Sequence, residues 1–222
     1  MATQTLIYNN PLSSQEDIKD FILEGQAELS FEQGFMRMHN SLSHTLGQKA
    51  NFVLWCPHTF PSDLIIQWEF RPLSNIGLCM LFFAASGLNG EDLFAPSLMQ
   101  RTGEYHQYYD GDIHTFHVSY FRRKEPDERI FHTCNLRKSK GFHLVCQGAD
   151  PIPDSDDIKD FYRITLKMQA NHVQFFINEL PIFSFEDDGH TYGPLLKEGK
   201  IGFRQLAPLT ADYRNLKIYS LT

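Results

Sequence analysis

The segment YRITLKMQANHVQFFINELPIFSF, residues 162–185, decides the fold class because apolar and polar residues alternate along it. Ile164, Leu166 and Met168 point to one side of an extended chain, and the polar residues between them point to the other side. The alternation continues to Asn178–Glu179, a pair that predicts a tight turn between two strands. The segment therefore predicts short antiparallel strands, including a hairpin, with one face buried.

The rest of the chain continues this pattern as short alternating runs separated by Gly, Pro, Asn and Asp. The further predicted strands are residues 51–55, 64–70, 78–84, 114–121, 130–136, 142–146, 200–205 and 214–219. Short helical turns are predicted after Ser13–Ser14 and after Pro153. Many short strands without alternating helices predict an all-β sandwich or barrel. The sequence contains no linker or internal repeat, which predicts one domain, residues 1–222.

Aromatic residues make up 14% of the chain, a content that suits the pleated faces of strands and offers flat surfaces for stacking against sugars. In a sandwich, apolar residues of both inner faces are buried against each other. The residues predicted to lie buried between the sheets are Trp68, Phe70, Met80, Phe82, Val118, Leu166, Phe175, Ile177, Ile201 and Phe203.

The charge balance excludes nucleic acid and anionic membranes as main partners, because the net charge is −7 and both partners need a basic surface. Residues 1–10 lack the pattern of a secretory signal. The longest apolar run, residues 76–85, is much shorter than the roughly 20 residues that span a bilayer. The four cysteines are widely spaced and are predicted to be free, buried thiols. These features predict a soluble, cytoplasmic protein.

Sequence motifs for phosphate loops, dinucleotide binding, nucleophilic serines and zinc are absent, so no cofactor and no metal are predicted. His114 and His117 are three apart, which places them on opposite faces of a strand, where they cannot chelate one ion. Glycosidases usually need two carboxylates a few ångströms apart, whereas Glu69 is the only acid centred on a predicted strand. A hydrolase with two carboxylates is therefore not favoured, and no catalytic residue is predicted.

One region, residues 101–123, is rich in His, Tyr and Arg and is the best candidate for a binding site. His117, Ser119 and Phe121 are predicted to share one strand face, and Arg137 and Lys138 to lie at a strand end or turn. Such groups suit a ligand with hydroxyls and a carboxylate. The alternative is that they are half-buried and edge-strand residues of a sandwich. His117 could also form a base and acid pair with a tyrosine for lyase chemistry on a uronate. Alternation places Tyr120 on the opposite face of the strand, so Tyr108 in the preceding loop is the favoured partner.

Six stretches of the sequence resemble the YesU-like family of uncharacterised bacterial proteins linked to rhamnogalacturonan degradation. They are FVLWCP (52–57), GLCMLFFAA (77–85), GEDLF (90–94), HVSYFRR (117–123), CNLRKS (134–139) and GKIGFRQ (199–205). The resemblance implies a concanavalin A-like jelly roll of two antiparallel sheets, one of them concave, and an association with pectin breakdown. It implies no catalytic residues. The Glu-x-Asp-x-Glu strand of glucanases that share this fold is absent from the sequence.

The resulting hypothesis is a carbohydrate groove on the concave sheet that binds a uronate-containing oligosaccharide. Its predicted lining is Tyr108, His117, Ser119, Arg137, Lys138, Glu69 and Arg204. The protein is then either an enzyme acting on pectin oligosaccharides, by hydrolysis or β-elimination, or a non-catalytic, lectin-like accessory protein. An assembly protein built on a jelly roll is the weaker third alternative. The sequence predicts neither the linkage nor the oligomeric state.

Overall fold

The computed structural model describes residues 3–123 and 132–222, and strands dominate these two ranges. The strands are β1 (Gln4–Asn10), β2 (Ile22–Glu24), β3 (Ala27–Ser30), β4 (Met36–Asn40), β5 (Phe52–Phe60), β6 (Leu64–Pro72), β7 (Gly77–Gly87), β8 (Ile113–Arg123), β9 (Thr133–Ser139), β10 (His143–Ala149), β11 (Tyr162–Gln169), β12 (His172–Ile177), β13 (Leu180–Glu186), β14 (Gly199–Leu206) and β15 (Thr210–Leu221). Helical structure in the described ranges is limited to α1 (His106–Tyr109) and 3-10 turns at Glu16–Ile18, His44–Ala50 and Ser155–Asp157. None of these helices has the length and hydropathy that crossing a bilayer requires.

The strands form two antiparallel sheets, which confirms the predicted jelly-roll sandwich. The first sheet has the order β13-β12-β11-β6-β15-β4-β3, and β1 pairs with the end of β15. The second sheet has the order β10-β9-β8-β7-β14-β5-β2. Neighbours in the chain therefore often belong to different sheets: β6 lies in the first sheet, whereas β5 and β7 lie in the second.

The predicted strands and turns correspond closely to the observed elements. The hairpin between β12 and β13 turns at Asn178 and Glu179, whose φ values of 48° and 68° suit the right-handed twist of the flanking strands. Short 3-10 turns are present after Ser13–Ser14 and after Pro153, as predicted. The predicted strand 130–136 corresponds to β9, and its residues 130 and 131 lie outside the described residues.

The main core lies between the two sheets and contains eight of the ten residues predicted there. Trp68 of the first sheet donates a hydrogen bond from Nε1 to the hydroxyl of Tyr120 in the second sheet, at 3.0 Å. Phe82 and Met80 are buried but do not belong to this core. Their side chains lie on the opposite, outer face of β7, because alternation along the strand places Cys79, Leu81 and Phe83 inward.

A second, smaller apolar cluster lies on the outer face of the second sheet, beneath the connection between β7 and β8. Its buried members are Val53, Trp55, Phe82, Ala85, Leu93, Tyr108 and Ile113. The connection, residues 88–112, supplies Leu93 and Tyr108 to this cluster. It therefore covers part of the outer face and borders the part where β8 and β9 carry polar residues. All four cysteines are free as predicted; three are buried and Cys146 is half-buried.

Candidate functional site

The outer face of the second sheet carries a cluster of basic and polar side chains beside the apolar cluster. His117 on β8 lies directly opposite Arg137 on β9. Arg204 on β14 lies opposite Met80 on β7, and Met80 lies opposite Ser119 on β8. Opposite residues of antiparallel neighbours project to the same face. The structure thus brings four of the seven predicted site residues, His117, Ser119, Arg137 and Arg204, to one surface.

Tyr105 connects the members of this cluster, although it is not among the seven predicted site residues. Its hydroxyl lies 2.7 Å from Nε2 of His117. Its ring centre lies 4.7 Å from the guanidinium carbon of Arg204. Tyr105 is half-buried, whereas His117 is only 1% exposed, so the phenol covers the imidazole. The tyrosine that pairs with His117 is therefore Tyr105, which immediately precedes α1, and not Tyr108.

Arg204 is fully buried, and most of its donors have no partner among the described residues. Nη2 donates to Oε1 of Gln48 at 3.1 Å and to the carbonyl of Gly103 at 3.3 Å, whereas Nε and Nη1 have no acceptor. Nδ1 of His117 is also buried without a partner. Within residues 3–123 and 132–222, no carboxylate forms an ion pair with Arg204 or Arg137. A buried cation without a counter-charge is costly, so this arrangement suits an anionic ligand.

Arg137 and Arg122 add positive charge at the more exposed side of the cluster. Arg137 donates from Nη1 to the carbonyl of Phe142 at 3.0 Å, and its guanidinium carbon lies 3.8 Å from the centre of the Phe142 ring. Arg122 donates from Nη1 to Oγ1 of Thr133 at 2.8 Å. Burial and the charge of Arg137 lower the pKa of Arg122. The guanidinium groups of Arg122, Arg137 and Arg204 all lie close enough to Tyr105 to act on the pKa of its hydroxyl.

The imidazole of His117 is held in its neutral form by this environment. Burial, followed by the charges of Arg137 and Arg204, lowers its pKa from 6.5 to about 3. Burial raises the pKa of the Tyr105 hydroxyl, while the three arginines act in the opposite direction. At neutral pH the pair consequently consists of a neutral phenol and a neutral imidazole joined by a hydrogen bond.

A bulge in β8 explains why Arg122 belongs to the cluster. Phe121 has a φ of 46° and its ring lies in the main core, next to Tyr120 in the sequence, which also faces inward. The extra residue resets the alternation of side chains, and Arg122 returns to the outer face. Strict alternation placed Phe121 on the face of His117, and that prediction is wrong for this reason.

Tyr108 lies close to the cluster, but its hydroxyl is used within the protein. Tyr108 is buried and donates to Oε2 of Glu24 at 2.7 Å. Glu24 also accepts hydrogen bonds from Nε1 of Trp55 at 2.8 Å and from Nε of Arg101 at 3.0 Å. Through these hydrogen bonds Glu24 holds residues 88–112 against β2 and β5. It thereby positions one border of the basic cluster, formed by His117, Arg122, Arg137 and Arg204.

Lys138 and Glu69 lie away from the basic cluster. Lys138 follows Arg137 within β9, so its side chain points to the opposite face, where Nζ donates to Oδ2 of Asp187 at 2.6 Å. Glu69 lies on β6 of the first sheet and accepts a hydrogen bond from Nε of Arg214. Glu69 and Arg214 line a shallow depression of about 330 Å³. Such ion pairs are typical of a sheet face that is exposed to solvent. We therefore remove Lys138 and Glu69 from the candidate site.

Comparison with known proteins places the chain in a family. The model of DUF1961, described as a domain of unknown function, matches residues 5–218. The uncharacterized protein YesU of Bacillus subtilis (strain 168) is 53% identical over 213 residues, which cover 96% of this chain and 94% of that protein.

Solved structures agree with the fold described above. A crystal structure of a protein of unknown function with a galectin-like fold from Bacillus subtilis superposes with a TM-score of 0.95 at 49% identity, covering 100% of this chain and 99% of that one. A non-specific endo-β-1,3(4)-glucanase, SCLam, superposes with a TM-score of 0.64 at 8% identity over 99% of this chain and 92% of its own, a likeness of fold alone. The protein belongs to the DUF1961 family.

Proposed function

We propose that the protein binds an acidic oligosaccharide of the pectin class, such as a fragment of type I rhamnogalacturonan, through the arginines on the outer face of the second sheet. The observation that carries the proposal is Arg204, a fully buried guanidinium with two nitrogens that have no partner in the part of the chain that the structure describes. A uronate carboxylate bound on this face beside Arg137 would offset the uncompensated charge of the Arg204 guanidinium. Arg137 and Arg122, which act together with Arg204 on the Tyr105 hydroxyl, would bind the same anion or the next one along the oligosaccharide.

Aromatic side chains beside the arginines support a sugar as the carrier of this carboxylate. The Phe142 ring lies 5.5 Å from that of Tyr105 and 4.7 Å from that of Tyr109, between ring centres. Phe142 is 47% exposed, and a sugar ring can stack on such a surface. The glucanase of similar fold acts on a polysaccharide by its name, and the sequence resemblance implies pectin. A cytoplasmic protein would meet its ligand as short imported oligosaccharides.

The experiment titrates acidic and neutral oligosaccharides of equal length against the wild type, Arg137→Ala and Arg137→Lys by calorimetry. Arg137→Ala is expected to weaken binding of the acidic ligand by about 1.5–3 kcal/mol, the scale of a hydrogen bond to a charged group. Arg137→Lys should restore only part of this loss, because an ammonium group cannot make the two-pronged contact of a guanidinium.

Arg163→Ala is the matched control, because Arg163 is exposed on the first sheet and forms an ion pair with the exposed Glu179, at 3.5 Å. It should leave both affinities unchanged. An equal loss for acidic and neutral ligands in Arg137→Ala would contradict recognition of charge, since Arg137 would then only shape the groove. No binding of any uronate oligosaccharide to the wild type would reject the proposed function.

A further inference from the structure

We propose that this site also cleaves its uronate ligand by β-elimination, with Tyr105 as the catalytic residue and His117 as the positioning residue behind it. The inference rests on the proposed function, because it requires a uronate held by the arginines. In this reaction Tyr105 takes the proton from C5 of the uronate. His117 accepts the phenolic proton at Nε2.

The geometry of the pair supports these roles. The Tyr105 hydroxyl and Nε2 of His117 are 2.7 Å apart, a hydrogen bond short enough for proton transfer between them. Tyr105 is half-buried and His117 is buried behind it, so a ligand on this face meets the phenol first. His117 is held from the other side by the Phe82 ring, whose centre lies 5.3 Å away.

The arginines supply the positive charge that β-elimination requires in its transition state. Removing the C5 proton places negative charge on the adjacent carboxylate group, and preorganised cations stabilise that charge. Among the described residues, no carboxylate forms an ion pair with Arg204 or Arg137. The buried carboxylate nearest this face, Glu24, already accepts from Trp55, Tyr108 and Arg101. The side chains gathered here therefore suit elimination better than hydrolysis by two carboxylates.

Ligand binding changes the basicity of His117 in the required direction. The groups that face the imidazole are Tyr105 from the segment before α1, Arg137 on β9, Arg204 on β14 and the uncharged Phe82 on β7. In the free protein the two arginines lower the pKa of His117. A bound carboxylate offsets their charge, raises the pKa of His117 and makes the imidazole a better proton acceptor.

The step balances without an oxidant or reductant. The C5–H bond breaks, and its electron pair forms the second bond between C4 and C5. The C4–O bond breaks with its electron pair on oxygen, which takes a proton from water. Tyr105 gains the C5 proton as its own proton passes to His117, and His117 then releases that proton to solvent. The products are an unsaturated uronate and a new hydroxyl end.

The experiment incubates the protein with rhamnogalacturonan I fragments and oligogalacturonates and follows the absorbance of the unsaturated uronate, with product masses by mass spectrometry. Tyr105→Phe keeps the ring but removes the hydroxyl, so we expect activity to fall at least about 100-fold while affinity changes less than about threefold. Tyr219→Phe on β15 of the first sheet is the matched control and should retain full activity. His117→Gln should lower activity and remove the acidic limb of the pH–rate profile.

The outcomes separate the two proposals. Binding without unsaturated product overturns the elimination and leaves the binding function intact. A mass gain of one water per cleavage means hydrolysis and also overturns it. Full activity in Tyr105→Phe rejects the catalytic role of Tyr105, and an unchanged pH–rate profile in His117→Gln rejects the role of His117. Failure of the wild type to bind any fragment rejects the proposed function itself.

Discussion

Arg204 is a single residue whose proposed role in ligand binding is expected to lower the stability of the free protein. The protein desolvates its guanidinium completely but offers it only two uncharged acceptors, Gln48 and the carbonyl of Gly103. The contrast is Asp212, a buried carboxylate that accepts hydrogen bonds from both Arg37 and Arg71. A buried charge that serves structure alone is expected to have partners of opposite charge, as Asp212 has.

This difference predicts opposite effects of the same substitution. Arg204→Met removes a buried cation that has no counter-charge, so we expect the free energy of unfolding to stay equal or rise by up to about 3 kcal/mol, while acidic ligands lose at least tenfold in affinity. Arg71→Met deprives buried Asp212 of a partner and should lower the free energy of unfolding. Urea denaturation of both variants checks this. A marked loss of stability in Arg204→Met would mean that Arg204 is a structural residue.

His117 predicts a pH dependence of stability. Its pKa is about 3 in the folded protein and about 6.5 when unfolded, so between these values the unfolded chain binds the proton more readily. The contribution of neutral His117 to the free energy of unfolding is therefore fully present above pH 6.5 and is lost as the pH falls toward 3. From pH 7 to 5 this contribution decreases by about 2 kcal/mol. Urea denaturation at both pH values should show a smaller decrease for His117→Gln than for the wild type; equal decreases would contradict a neutral, buried imidazole.

At the scale of the elements, the site depends on how residues 88–112 are held against the second sheet. The strands β7 and β8 are buried on almost their whole length because the main core covers one face and this segment covers much of the other. Tyr105 belongs to this segment. It lies over His117 because Arg101 and Tyr108, on either side of it in the chain, are hydrogen-bonded to Glu24. Glu24 on the edge strand β2 is the polar centre of that anchor.

Replacement of this carboxylate should therefore loosen the segment. Glu24→Gln leaves Arg101 buried without its counter-charge, and we expect the free energy of unfolding to fall by about 3 kcal/mol. Limited proteolysis should cut within residues 88–112 faster than in the wild type. Glu28→Gln, an exposed change on β3, is the control and should alter neither property. Unchanged proteolysis and stability in Glu24→Gln would show that the apolar cluster alone holds the segment.

At the scale of the whole molecule, the two tryptophans report separately on the two apolar clusters. Trp68 lies in the main core and Trp55 in the outer cluster. The prediction of one domain over residues 1–222 requires both clusters to unfold together, because a cooperative domain unfolds in one transition. Trp55→Phe leaves Trp68 as the reporter, and Trp68→Phe leaves Trp55.

In each variant, the urea midpoint from tryptophan fluorescence should coincide with the midpoint from far-UV circular dichroism. Comparison within a variant removes the effect of the substitution on stability. A fluorescence midpoint for Trp55 at lower urea than the circular dichroism midpoint of the same variant would identify the outer cluster as a separately unfolding unit. The site would then be less stable than the sandwich that carries it.

The sequence by itself determined the fold class, most strand positions and the approximate location of the site. Alternation with a period of two is a local property of the chain, so β11, β12 and the turn at Asn178–Glu179 could be predicted from neighbouring residues. The same property placed His117 and Ser119 on one face. The predicted strand ended at residue 136, three residues before the observed end of β9. A strand predicted to its full length would also have placed Arg137 and Lys138 on opposite faces.

Only the tertiary structure decided which of these residues meet. Alternation looks the same in either sheet, so nothing local distinguishes β6, which carries Glu69 into the first sheet, from β14, which brings Arg204 beside β7 in the second. Arg122 reaches the site through a left-handed residue at Phe121, where a side chain is disfavoured and only the surrounding packing can impose it. Tyr105 and His117 meet because a covering segment folds back onto the sheet, and that contact is set by burial and not by spacing in the chain.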